Sequence, residues 1–238
     1  MRRLRGGAAA AVVLVFAVAG CNAETRTGSA GPGETGGGGA ALTAAESLTV
    51  KGRAPKTGYS RERFGTAWAD TDSNSCDTRD DILKRDLEDV RFSRGRCKVS
   101  YGVLESDPYS GKKVTYRRGA SLVDIDHIVP LSDAWQKGAK YWDAGKRIAL
   151  ANDPLNLIAV DSSTNRSKGD GDAATWLPPN KSYRCTYVAG QVAVKRKYQL
   201  WVTAAEKAAM EKVLRTCPGQ KLPSGGNPTD APARFRAD

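Results

Sequence analysis

The sequence predicts an α+β fold with added helices, and three observations carry that prediction. Residues 98–104 (KVSYGVL) and 112–118 (KKVTYRR) alternate apolar and polar side chains, the period-2 pattern of half-buried strands. Residues 121–129 are β-prone and stop at Pro130, and a short apolar stretch, 155–160 (LNLIAV), runs directly into helix-starting residues. Finally, 183–200 and 203–217 have helical patterns joined by a link so short that the two helices should pack antiparallel.

Taken from the N-terminus, residues 1–20 are expected to be removed. Arg2, Arg3 and Arg5 precede an unbroken apolar run, 8–19. It is shorter than the ~20 residues of a permanent span, as in a signal peptide. The run ends in Val18-Ala19-Gly20-Cys21, which resembles the lipobox of bacterial lipoproteins, and that resemblance implies lipid on Cys21. Residues 21–47 are rich in Gly, Ala, Ser and Thr and read as a flexible tether from the lipid. The compact domain is then 48–217. Residues 218–238, with four Pro and three Gly, read as a disordered tail.

Within the domain, 80–90 (DDILKRDLEDV) has Ile82, Leu83 and Leu87 at helical spacing and two acids in its first turn. Residues 140–151 suit a helix. Asp161-Ser162-Ser163-Thr164 is N-cap material for a helix that Gly169 should stop. Thr203-Ala204-Ala205-Glu206 is a capping box.

Composition narrows the function. The chain has 37 Lys and Arg against 26 Asp and Glu, a formal charge of +11, and a single His. Residues 48–217 hold 30 of those bases and 21 of the acids, so the surplus belongs to the domain and favours polyanionic partners. One His excludes any multi-histidine metal centre and leaves His127 as the only imidazole for acid–base work. With Cys21 assigned to lipid, four cysteines remain, an even number in an oxidising compartment. Three pairings are possible. Sequence proximity favours Cys76–Cys97, and an antiparallel hairpin that brings its own ends together favours Cys185–Cys217.

Three segments carry the chemistry: Asp124-Ile125-Asp126-His127-Ile128-Val129-Pro130, then Asn156-Leu157, then Asn165-Arg166-Ser167-Lys168. They read as strand, insertion, strand, helix. Asp126 and His127 are strand neighbours and face opposite ways, so the carboxylate can hold a cation while the imidazole addresses a substrate. Asn165, one turn into the helix, offers a second oxygen. Such a site, completed by water, suits Mg²⁺ better than zinc.

The order Asp-His-Ile-Val-Pro, Asn-Leu, Asn-x-x-Lys resembles the HNH (ββα-metal) endonuclease superfamily. The likeness is nearest to the exported bacterial branch related to the C-terminal nuclease domain of GmrSD restriction enzymes. Lys168-Gly169-Asp170, Trp176-Leu177-Pro178-Pro179 and Tyr183-Arg184-Cys185 extend it over most of 120–217. The resemblance implies that His127 is the general base, Asp126 and Asn165 ligate one divalent metal (Mg²⁺ first, Mn²⁺ second), and Asn156 orients the loop carrying the His. It implies phosphodiester hydrolysis leaving 5′-phosphate and 3′-hydroxyl ends.

Lys168 and Arg166 either contact phosphate or decorate a helix end, where cations favour the dipole, and Lys195-Arg196-Lys197 is either a backbone-binding patch or a solvated helix face. Asp124 is either a second metal-shell group or solvated. Trp135, Trp142 and Trp176 read as core rather than base-stacking residues. The expected partners are nucleic acid, DNA ahead of RNA, and a membrane through the N-terminal lipid only. A monomer is expected. The alternatives are a non-catalytic surface lipoprotein that binds DNA or another polyanion, and a structural envelope lipoprotein; neither explains the Asp126, His127 and Asn165 set.

Overall fold

A computed structural model describes residues 39–120 and 122–237. The expected signal peptide, the expected lipid site Cys21 and the expected tether up to residue 38 lie outside the described residues.

The elements are α1 (Ala40–Glu46), α2 (Thr78–Asp86), β1 (Glu88–Arg94), β2 (Lys98–Leu104), β3 (Val114–Arg117), β4 (Val123–His127), α3 (Leu131–Gln136), α4 (Ala144–Ala151), β5 (Leu157–Asp161), α5 (Ser162–Lys168), α6 (Arg184–Tyr198) and α7 (Ala204–Arg215). The class is α+β. One antiparallel sheet has the order β1-β2-β3, and β4 pairs with β5 as a separate antiparallel ribbon.

That ribbon carries Asp126 and His127. Its register sets Ile125 opposite Ala159 and His127 opposite Leu157. Strand alternation then sends Val123, Ile125, Leu157 and Ala159 into one apolar cluster with α2 and the three-stranded sheet. Ile158 and Val160 enter another with α1, α6 and α7. A ribbon clamped on both faces cannot slip in register without moving its whole apolar set, which fixes where the end of β4 points. A third cluster, with Trp135, Leu150 and Tyr198, holds α3 and α4, the insertion between the two strands.

The helix hairpin forms as expected. Thr203 and Glu206 complete the capping box, and Cys185 is bonded to Cys217. Cys76 is bonded to Cys97.

Four segments differ from the sequence reading. The 80–90 helix ends at Asp86; Leu87 is extended and buried, and Glu88 starts β1. Here pairing with β2 outweighs local helical spacing. The 140–151 helix begins only at Ala144, where Asp143 caps it by accepting from the Lys146 N–H. The last residues of the expected tether are structured. Residues 40–46 form a helix whose Ala41, Ala44 and Ala45 are buried against α6 and α7, and alanines at that spacing make a thin apolar stripe. Residues 218–237 are not a free tail. Gln220 accepts from the Ala41 N–H, Lys197 Nζ donates to the carbonyls of Gly225 and Asn227, and Arg234 donates to the Asp70 carbonyl. This segment has no periodicity of its own because the domain supplies its hydrogen-bond partners.

Candidate active site

The site gathers at the C-terminal end of β4. Helix α4 ends at Ala151, where the last carbonyls of a helix lack intrahelical donors. His127 Nε2 lies 2.8 Å from Ala151 O. A carbonyl only accepts, so Nε2 carries the proton and Nδ1 keeps the lone pair. Among the described residues no hydrogen bond uses Nδ1. Burial lowers the imidazole pKa from 6.5 to about 4, helped by the positive charges of Arg61 and Lys168 and opposed by the Ala151 contact. The ring is therefore neutral at pH 7.

Asn156 is fully buried and fixes the loop after His127. Its Oδ1 accepts from the Val129 N–H at 2.8 Å, while its Nδ2 donates to the carbonyls of Val129 and Leu150, each at 3.3 Å. Its backbone carbonyl accepts from the Ile128 N–H at 2.8 Å. One side chain thus joins the start of β5, the loop leaving β4 and the end of α4. It fixes the loop that follows His127 and lines neither cavity that His127 reaches.

On the opposite face of β4, Asp126 is held by two donors. Tyr109 OH donates to Oδ2 at 2.6 Å, and Lys168 Nζ lies 2.9 Å from Oδ2 and 3.1 Å from Oδ1. Burial raises the Asp126 pKa, opposed by Lys168 and the Tyr109 hydroxyl. Tyr109 is itself buried in an aromatic group with Trp176 and Tyr187, and burial then the Asp126 charge push its pKa far up, so it stays a donor.

Helix α5 is capped by Asp161, whose side chain accepts from the Thr164 N–H, and stops at Gly169 with φ +52°. It presents Asn165, whose Nδ2 donates to Asp124 Oδ2 at 3.2 Å. Asp124 is thereby a partner of Asn165 and half-buried. Asp126, His127 and Asn165 line one cavity of about 220 Å³, together with Arg61, Gly169 and Asp170.

The sequence-derived residues divide accordingly. Asp126, His127, Asn156 and Asn165 converge. Lys168 does not reach solvent: its side chain is 0% exposed and its Nζ is committed to Asp126 and the His127 carbonyl, so it supports the site from behind instead of meeting phosphate. Arg166 is exposed on α5 and has no ion pair among the described residues.

The 195–197 patch dissolves. Lys195 is fully buried between Asp133 and Glu206, and Lys197 is bound to Asp153; only Arg196 is exposed. Trp135 is core, and Trp142 and Trp176 pack half-buried against Tyr198 and Tyr187.

Three residues escape the sequence reading. Tyr109 lies far upstream of its partner, in a turn with no motif. Arg61 and Trp68 sit in an irregular stretch without periodicity. Arg61 lines two cavities that reach His127, and the Trp68 indole runs within 8° of parallel to the His127 ring.

With that geometry in place, residues 77–213 match the family of GmrSD restriction endonucleases, C-terminal domain. The chain belongs to that family. It is also 45% identical, over 172 residues, to an uncharacterized secreted protein of Arthroderma benhamiae, covering 71% of this chain and 81% of the relative. No solved structure matches it. Membership in the family points to a nuclease acting on nucleic acid, and the two disulfides point to an oxidising compartment outside the cytoplasm.

Proposed function

We propose that the protein is an exported, metal-dependent endonuclease of the HNH (ββα-metal) type, cutting DNA in preference to RNA with low sequence specificity, and held at the membrane by lipid on Cys21. One observation carries the reading. A neutral imidazole with an unused Nδ1 stands on the wall of a cavity that a carboxylate and a carboxamide also line.

His127 Nδ1 takes the proton of a water that attacks phosphorus in line, a contribution of ~10²–10⁴-fold. The Ala151 carbonyl, 2.8 Å from Nε2, stabilises the imidazolium that results. Arg61 and Arg166, both exposed, supply positive charge for the phosphate backbone.

The donor set fits a hard divalent cation. Asp126 and Asn165 offer oxygens on one cavity, no hydrogen bond among the described residues uses Asn165 Oδ1, and buried Lys168 and Tyr109 hold the Asp126 carboxylate in place. When bound there, the cation supplies Lewis-acid stabilisation of charge developing on the phosphate oxygens. Among the described residues no group of three or more His, Cys, Asp or Glu side chains is placed to hold a metal ion, so the set here relies on Asp126, the Asn165 carboxamide and water.

Plasmid nicking tests the reading. Cleavage is expected with Mg²⁺ or Mn²⁺, to cease in EDTA, and to fall ~10²-fold or more in His127→Ala. Equal cleavage by His127→Ala refutes the mechanism. DNA retention by the wild-type protein without cleavage favours the polyanion-binding lipoprotein instead.

A further inference from the structure

A second cavity, of about 370 Å³, also reaches His127 and takes no part in the chemistry above. Its walls include the apolar side chains of Phe64, Trp68 and Leu131. Arg61 lines this cavity and the Asp126–Asn165 cavity alike, so one guanidinium borders both. Asn152 and Ala151 complete part of the wall.

Trp68 is the decisive residue. Its indole is half-buried and stands 6.3 Å from the imidazole ring centre, with the Arg79 guanidinium 5.8 Å from the indole centre. Its backbone has φ +61°, a left-handed conformation that bulky residues rarely adopt and that is retained chiefly at functional sites. The fold thus holds an aromatic face beside the candidate base where local preference would not put one.

We propose that this cavity is a nucleobase subsite: one unpaired base stacks on Trp68 while its phosphate lies at Arg61 beside His127. The proposal rests on the nuclease reading and adds a substrate class to it, single-stranded or locally melted nucleic acid. A cavity near the lower limit for small-ligand sites suits one planar base. A base inside a duplex must leave its stack to enter, so duplex DNA is the poorer substrate. Aromatic stacking accepts any base, consistent with binding that ignores sequence.

The test measures binding by anisotropy, in EDTA, of labelled oligothymidylate and of an oligomer of equal length and charge that lacks bases. The protein is the full mature chain. Wild type is expected to bind oligothymidylate at least ~10-fold more tightly, the range of one stacked base. Trp68→Gly, which suits the positive φ, should reduce oligothymidylate binding to the abasic level and leave abasic binding unchanged. Trp68→Phe should restore most of the difference. If the glycine variant does not fold, Trp68→Leu replaces it, keeping apolar bulk without a ring.

Equal binding of both oligomers by wild type, or a ratio unmoved by Trp68→Gly or Trp68→Leu, overturns the subsite. Equal binding with Mg²⁺-dependent cleavage intact removes the subsite alone. Base-dependent binding without any cleavage removes the nuclease reading and leaves the subsite.

Discussion

Holding His127 neutral has a thermodynamic consequence that can be measured without substrate. The folded imidazole has a pKa of about 4 against an ordinary 6.5, because burial disfavours its charged form. Above pH 6.5 the ring is neutral in both folded and unfolded chains, and the site adds no pH dependence. Between pH 6.5 and 4 the unfolded chain binds a proton that the folded one refuses, so stability falls as pH falls. At 1.36 kcal/mol per pKa unit, the whole window is worth about 3 kcal/mol.

His127→Gln is the control, since glutamine cannot protonate and its amide N–H can still donate to Ala151 O. Urea unfolding of both proteins at pH 7 and pH 4.5 isolates the effect, because the carboxylates titrate alike in each. Wild type should lose about 2 kcal/mol more than the variant on acidification. The chain has one His, so an NMR titration reads the same group without assignment, with a midpoint expected near 4. Parallel stability losses, or a midpoint at 6.5, would refute the account of a desolvated neutral base.

Other outcomes follow from the packing. Lys195→Ala strips a fully buried cation from Asp133 and Glu206 and should cost about 3–5 kcal/mol in chemical denaturation, against much less for Arg196→Ala on the exposed side of α6. Asn156→Ala leaves the buried Val129 N–H without its acceptor, so a stability loss of roughly 1–3 kcal/mol should accompany reduced turnover with little change in KM. Replacing Cys185 and Cys217 by alanine opens a bridge of sequence separation 32 and should lower stability by about 3–4 kcal/mol under oxidising conditions.

Much of the architecture is legible because local rules and tertiary demands agree. Residues 98–104 alternate and form β2 with those limits. The capping box at Thr203 and the N-cap at Asp161 place α7 and α5, since both satisfy orphan N–H groups within one turn. The 218–237 segment and Leu87 depart from their local patterns for the opposite reason: their partners lie outside the local window, and nothing adjacent in sequence announces them.

The sequence by itself determined which groups are available. It limits imidazole chemistry to His127, puts Asp126 on the other face of the same strand, and spaces Asn156 and Asn165 so that a strand and a helix can return them to it. Only the tertiary structure decided the state of those groups. Burial and the Ala151 carbonyl select the protonated nitrogen of His127. Lys168 turns inward to Asp126 because a buried carboxylate needs a partner. Lys195, one of three consecutive cations, becomes interior because Asp133 and Glu206 meet it there from α3 and α7. Charge and protonation depend on what surrounds a side chain in space, and in this chain those surroundings come from segments far apart in sequence.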